Sequence, residues 1–128
     1  MSHEAPPQAQ SQGVVSQRAQ LAVANHILFH QGVLDAFGHV SVRSAAAPDT
    51  FLLSRNLAPA LVGVDDIQQL TLDGETDDPR PPYLERFIHG EIYRARPDVI
   101  AVVHSHSPAV VPFSVADQPL RPMMHMVH

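Results

Sequence analysis

The chain has 128 residues, 45% hydrophobic and 16% charged, with a net charge of −5; this is a globular composition with room for one domain and its core. The acidic balance leaves no electrostatic footprint for nucleic acid or an anionic membrane surface. Cysteine and lysine are both missing; this excludes disulfides, thiolate nucleophiles, sulfur-held metals and a lysine Schiff base, and leaves a metal as the electron sink for carbonyl or carboxylate chemistry.

Residues 1–13 are rich in Pro and Gln and lack the apolar core of a signal peptide, so they read as a disordered lead-in to one domain over residues 14–128 of a cytoplasmic protein. Val14 to Gln31 has helical spacing, with Gly32 placed as a C-cap. Phe37 to Arg43 reads as a turn entering a strand, and Phe51 to Ser54 as a second strand; their period-2 pattern predicts an antiparallel hairpin. Leu57 to Val62 reads as a short helical turn. Ile67 to Leu72 is a strand closed by Asp73-Gly74, and Glu75 to Pro82 an exposed acidic loop. Tyr83 to Arg96 repeats at helical spacing until Pro97-Asp98, Val99 to His104 is a buried strand, and Ala109 to Val115 is a short helix. No run approaches the ~18 apolar residues of a membrane span.

The chemistry concentrates at His104-Ser105-His106. Positions i and i+2 of a strand project from one face, so two imidazoles emerge together at a strand end, where α/β sheets place their ligand sites. They are half of a divalent-metal site, or two histidines satisfied by hydrogen bonds. Glu85, near the start of the preceding helix, either complements the helix dipole or serves as acid, base or ligand. His39, at a turn, either caps backbone groups or touches substrate. Ser54 and Arg55 close the second strand, where the arginine is solvated or clamps a carboxylate; Arg80 is a further cation nearby. His26, His30 and His89 read as surface or interface residues on helices, and His125 as core.

Taken together, these residues resemble the class II aldolase/adducin family from about Val14 onward. The likeness is strongest from Tyr83-Leu84-Glu85-Arg86-Phe87 through Arg96-Pro97-Asp98 to His104-Ser105-His106-Ser107, with Gly38-His39-Val40-Ser41-Val42-Arg43 similar to a family Gly-Asn-x-Ser-x-Arg segment. The resemblance implies a three-layer α/β/α sandwich around a mixed, largely antiparallel sheet. It implies His104 and His106 as ligands of zinc or manganese, Glu85 as proton-transfer residue, and a homotetramer acting on a small-molecule carboxylate. The family's third histidine lies beyond His128, and His125 or His128 would replace it only after local rearrangement; the expectation is a domain whose C-terminal part is missing.

Family members acting on sugar phosphates carry serines just before the glutamate, where this chain has Pro81-Pro82-Tyr83-Leu84, and an asparagine where it has His39. These departures resemble the branch that decarboxylates hydroxylated aromatic carboxylates. The expected function is therefore metal-assisted decarboxylation through an enolate-like carbanion that Glu85 protonates, with His39, Ser54, Arg55 and Arg80 toward substrate. The alternatives are an aldolase on a non-phosphorylated substrate and a non-catalytic, adducin-like member.

Overall fold

A computed structural model describes residues 7–119 and 121, with side chains from residue 17. The first helix, α1, is Pro7–His30, and the chain leaves it through Gly32 at φ +73°, a left-handed turn that an L side chain resists. Strands β1 (His39–Arg43), β2 (Thr50–Ser54) and β3 (Ile67–Thr71) follow, then helix α2 (Arg86–Ala95) and strand β4 (Ala101–His104). Single 3-10 turns lie at Pro59–Leu61, Val64–Asp66 and Val111–Ser114. The sheet order is β3-β2-β1-β4 with every neighbouring pair antiparallel. Among the described residues no helix is long and apolar enough to cross a membrane.

Strand alternation divides two cores between the faces of this sheet. On one face Leu21 and Ala22 of α1 pack with Val40, Leu52 and Ile67; on the other Tyr93 of α2 packs with Phe51, Leu53 and Leu70. Phe51, Leu52 and Leu53 are fully buried, so truncating any of them to alanine costs about 2–5 kcal/mol. Helices on both faces give the three layers that the resemblance implied. The hairpin pairing of β1 and β2 is as expected, with Val42 opposite Leu52.

Four expectations need correction. The strand expected to be buried before His104 is half-exposed: β4 is an edge of this sheet, with Val103 46% exposed and Ile100 59%. Its apolar run is an edge strand's outer surface among the described residues. His89 is not at the surface but fully buried. Of residues 109–115, expected as a helix, Val111–Ser114 form a 3-10 turn and the rest are turn; Pro112 has no N–H to continue an α-helix. Of the lead-in expected over residues 1–13, residues 7–13 belong to α1. Residues 1–6, and His125 and His128 with the segment around them, lie outside the described residues.

Candidate metal centre

Odd positions of β1 and even positions of β4 face α2. His39 and His104 are paired across the two strands, and their rings stack at 4.7 Å and 11°. Glu85 is the N-cap residue of α2, yet its side chain makes no capping bond. It turns to the sheet instead: Oε2 lies 3.3 Å from His39 Nε2 and 3.1 Å from His104 Nε2. His106, two residues past the end of β4, brings its Nε2 within 3.3 Å of His104 Nε2. Its other nitrogen, Nδ1, is 3.3 Å from Asp35 Oδ1.

This donor set fits a borderline cation. Two imidazole nitrogens on one tetrahedral ion, each at about 2.0–2.1 Å, stand about 3.3 Å apart, and His104 and His106 already hold that spacing. Asp35 accepts from His106 Nδ1, which leaves the Nε2 lone pair for a metal, the usual outer-shell arrangement of a ligating histidine. Asp35 Oδ1 also accepts from the Phe37 N–H at 2.9 Å. That bond first, and then His106, hold its carboxyl below the usual carboxylate range. His39, Glu85 and His104 also place one donor atom each within 4.8 Å of one another. Geometry alone thus offers His39 as a rival ligand.

Behind the exposed groups lies a buried chain. His39 Nδ1 is 2.7 Å from His89 Nε2, His89 Nδ1 is 2.6 Å from Ser41 Oγ, and Ser41 Oγ is 2.7 Å from the Tyr93 hydroxyl. Burial pushes His89 down to about 3, with the neighbouring His39 and His104 acting in the same direction. Burial and then His104 also hold His39 below the ordinary imidazole value. Burial pushes Tyr93 up to about 12. Both histidines and the phenol are neutral near pH 7. The i, i+4, i+8 spacing of Glu85, His89 and Tyr93 puts all three on one face of α2, a signal present in the sequence that the reading of His89 overlooked.

The other expected residues stand apart from the histidine cluster. Ser54 is buried and bonds Arg55 O and the Tyr83 hydroxyl; Tyr83, whose ring lies 4.6 Å from His39, separates it from the site. Arg55 Nε pairs with Asp66 at 2.8 Å, and Arg80 pairs with Asp78 at 2.6 Å and Asp66 at 3.7 Å. Arg80 lines a groove of about 1270 Å³ with Arg18, Gln68 and Arg86, to which none of His39, Glu85, His104 and His106 contributes. The structure brings those four together and does not bring Ser54, Arg55 or Arg80 into contact with them.

A family model described as Class II Aldolase and Adducin N-terminal domain matches residues 19–128. The Decarboxylase tropJ of Talaromyces stipitatus is 47% identical over 105 residues, covering 79% of this chain and 40% of that protein. A 3,4-dihydroxyphthalate decarboxylase of Arthrobacter keyseri is 34% identical over 119 residues, 84% of this chain and 47% of its own. Among solved structures, the L-fuculose 1-phosphate aldolase of Glaciozyma antarctica superposes with a TM-score of 0.74 at 27% identity, over 91% of this chain and 51% of that one. The chain therefore spans about half the length of these relatives or less.

Proposed function

The chain belongs to the class II aldolase and adducin family, and on that premise we propose that it carries the metal-binding and proton-transfer part of a carbon–carbon lyase. The reaction is decarboxylation of a hydroxylated aromatic or heteroaromatic carboxylate. The observation that carries this reading is the convergence of His104 Nε2, His106 Nε2 and Glu85 Oε2, with contacts of 3.1 and 3.3 Å. The likeness to two proteins named as decarboxylases supports the choice of reaction.

His104 and His106 hold zinc or manganese, which supplies Lewis acidity toward a substrate hydroxyl and its neighbouring carboxylate. Glu85 performs the proton transfer. Its Oε2 faces both imidazoles, so Oε1 is the oxygen that carries a proton to the reacting carbon. The side chain is 51% exposed and recovers that proton from solvent. The bond to the departing carboxyl group breaks with its electron pair left on carbon, that carbon takes the proton from Glu85, and carbon dioxide leaves. His39 and Ser54, expected toward substrate, are both buried; His39 reaches the reaction through Glu85, and Ser54 lies behind Tyr83. Arg55 or Arg80 receives a second substrate carboxylate by exchange against Asp66 or Asp78. The same reading makes the protein a cytoplasmic homotetramer acting on small carboxylates.

A second reading is aldol cleavage, supported by the likeness to a solved L-fuculose 1-phosphate aldolase, here on a non-phosphorylated substrate because Pro81-Pro82-Tyr83-Leu84 stands where the phosphate serines would be; it asks the same of Glu85. The test is incubation of the protein with manganese or zinc and 3,4-dihydroxyphthalate, with carbon dioxide measured against carbonyl products from hydroxy-acid and hydroxyaldehyde substrates. Carbon dioxide release that His104→Ala and Glu85→Gln abolish is expected. Carbonyl release alone would select the aldolase, and failure to take up metal would sink both.

A further inference from the structure

We infer that Tyr93, Ser41 and His89 form a one-way hydrogen-bond chain that holds His39 with its hydrogen on Nε2, so that His39 meets Glu85 as a donor and stays outside the metal's ligand set. The reasoning is an inventory of hydrogens. Five groups stand in a row: the Tyr93 hydroxyl, the Ser41 hydroxyl, His89, His39 and Glu85. Four contacts join them, at 2.7, 2.6, 2.7 and 3.3 Å. Each hydroxyl brings one hydrogen and each neutral imidazole brings one, so four hydrogens fill four contacts.

The row has only one consistent direction. A carboxylate accepts and cannot donate, so the hydrogen between His39 and Glu85 sits on His39 Nε2. His39 Nδ1 is then bare, and the hydrogen in the next contact belongs to His89 Nε2. His89 Nδ1 is bare in turn and takes the Ser41 hydrogen, which leaves Ser41 Oγ to accept from Tyr93. The reverse order would leave one hydroxyl hydrogen, that of Tyr93 or of Ser41, without an acceptor among the described residues, and would turn a bare His39 nitrogen toward a carboxylate. His39, Ser41 and His89 are 0–1% exposed; no water competes for these bonds, and an unmet hydrogen there costs about 1–3 kcal/mol.

A nitrogen that carries a hydrogen has no lone pair for a metal. His104 Nε2 faces Glu85 as well, but among the described residues no hydrogen bond holds its Nδ1, so its hydrogen can move there and free Nε2. His39 Nδ1 is taken by His89, so of the two histidines beside Glu85 His39 is the one that does not ligate. His89, Ser41 and Tyr93 are positioning residues: they act on Glu85 only through His39. This inference deepens the proposed metal site and rests on it only for the statement about ligands.

Two measurements test it. Long-range proton–nitrogen correlation spectra of the whole chain, without metal and with histidines assigned through the backbone, report which ring nitrogen bears hydrogen. The expected result is hydrogen on Nε2 of both His39 and His89. Hydrogen on Nδ1 of His39, or on both its nitrogens, overturns the inference, as does an Nδ1–H on His89. Zinc alone is then titrated into the protein and into His39→Asn and His104→Ala. His39→Asn is expected to change the dissociation constant less than the roughly 10-fold that losing an outer-shell partner costs, and His104→Ala to lose more than the roughly 100-fold upper end of that range; equal losses overturn it. If the unchanged chain takes up no zinc, the proposed function fails while the tautomer spectra still decide this point.

Discussion

His106 Nδ1 lies 3.3 Å from Asp35 Oδ1, and this contact joins the loop after α1 to the segment after β4 at the one place where the two histidines of the site diverge. His104 is fixed by strand pairing and by stacking on His39. His106 lies past the last strand residue and has no such support; Asp35 supplies it. Replacing Asp35 by asparagine keeps the shape and removes the charge that orders the imidazole. We expect Asp35→Asn to weaken zinc binding by about 10-fold, at the lower end of outer-shell effects because both side chains are nearly half-exposed. Competition against a chelator measures it, and unchanged affinity would remove Asp35 from the site.

Glu85 and His104 are close in space but differ in what their loss does. His104→Ala deletes a ligand nitrogen, so bound metal should fall below detection and activity with it. Glu85→Gln keeps the length of the side chain and its oxygen while removing the transferable proton. It should retain metal and lower kcat by about 10²–10⁴-fold, the usual contribution of one general acid or base. Elemental analysis beside turnover separates the two; a Glu85→Gln protein with full activity would assign the proton to another group.

How much of this was legible in the sequence depends on the range of the interaction. The His104-Ser105-His106 spacing, the β1–β2 hairpin and a helix beginning near Glu85 follow from local periodicity; the helix expected from Tyr83 begins at Arg86, with Glu85 as its N-cap. The exposure of Val103 does not, because whether an apolar strand lies inside or at the edge of a sheet is decided by which strands pair, and β4 pairs with β1 across some 60 positions of chain. Ser41 stands in the sequence only as part of the Gly38 to Arg43 likeness, which says nothing of its contacts; its partners are about 50 residues away. His89 could have been found. The helical repeat that placed Glu85 also places His89 and Tyr93 beneath it, and a polar pair on the inward face of a helix calls for buried partners.

That buried histidine makes a prediction about acid stability. The folded-state value of His89 is held down to about 3 against an ordinary 6.5. Between those limits the unfolded chain binds a proton that the folded chain refuses. The stability contribution is therefore complete above about pH 6.5 and is lost as pH falls toward 3, at about 1.4 kcal/mol per pH unit for one such group. His39 shifts in the same direction and steepens the loss. Urea unfolding between pH 7 and 4.5 should show this slope, above the range where Asp35 and Asp66 act. His89→Gln should flatten it; an equal slope in that variant would assign the acid sensitivity elsewhere.

Gly90 gives a prediction opposite in sign to its helical propensity. In the interior of an exposed helix, glycine to alanine stabilises by about 1 kcal/mol. Here a Cβ would collide with the carbonyl oxygen of Leu72, backbone that cannot rotate aside. Gly90 lies on α2 one residue beyond His89 and five beyond Glu85, so a shift that relieves the collision moves both. Gly90→Ala should lower stability by about 1–3 kcal/mol, the usual cost of overpacking, and weaken the Glu85 contacts with His39 and His104 along with it. Thermal unfolding and residual turnover, read together, test this: a stabilised and fully active variant would mean that α2 does not sit against the end of β3 as described.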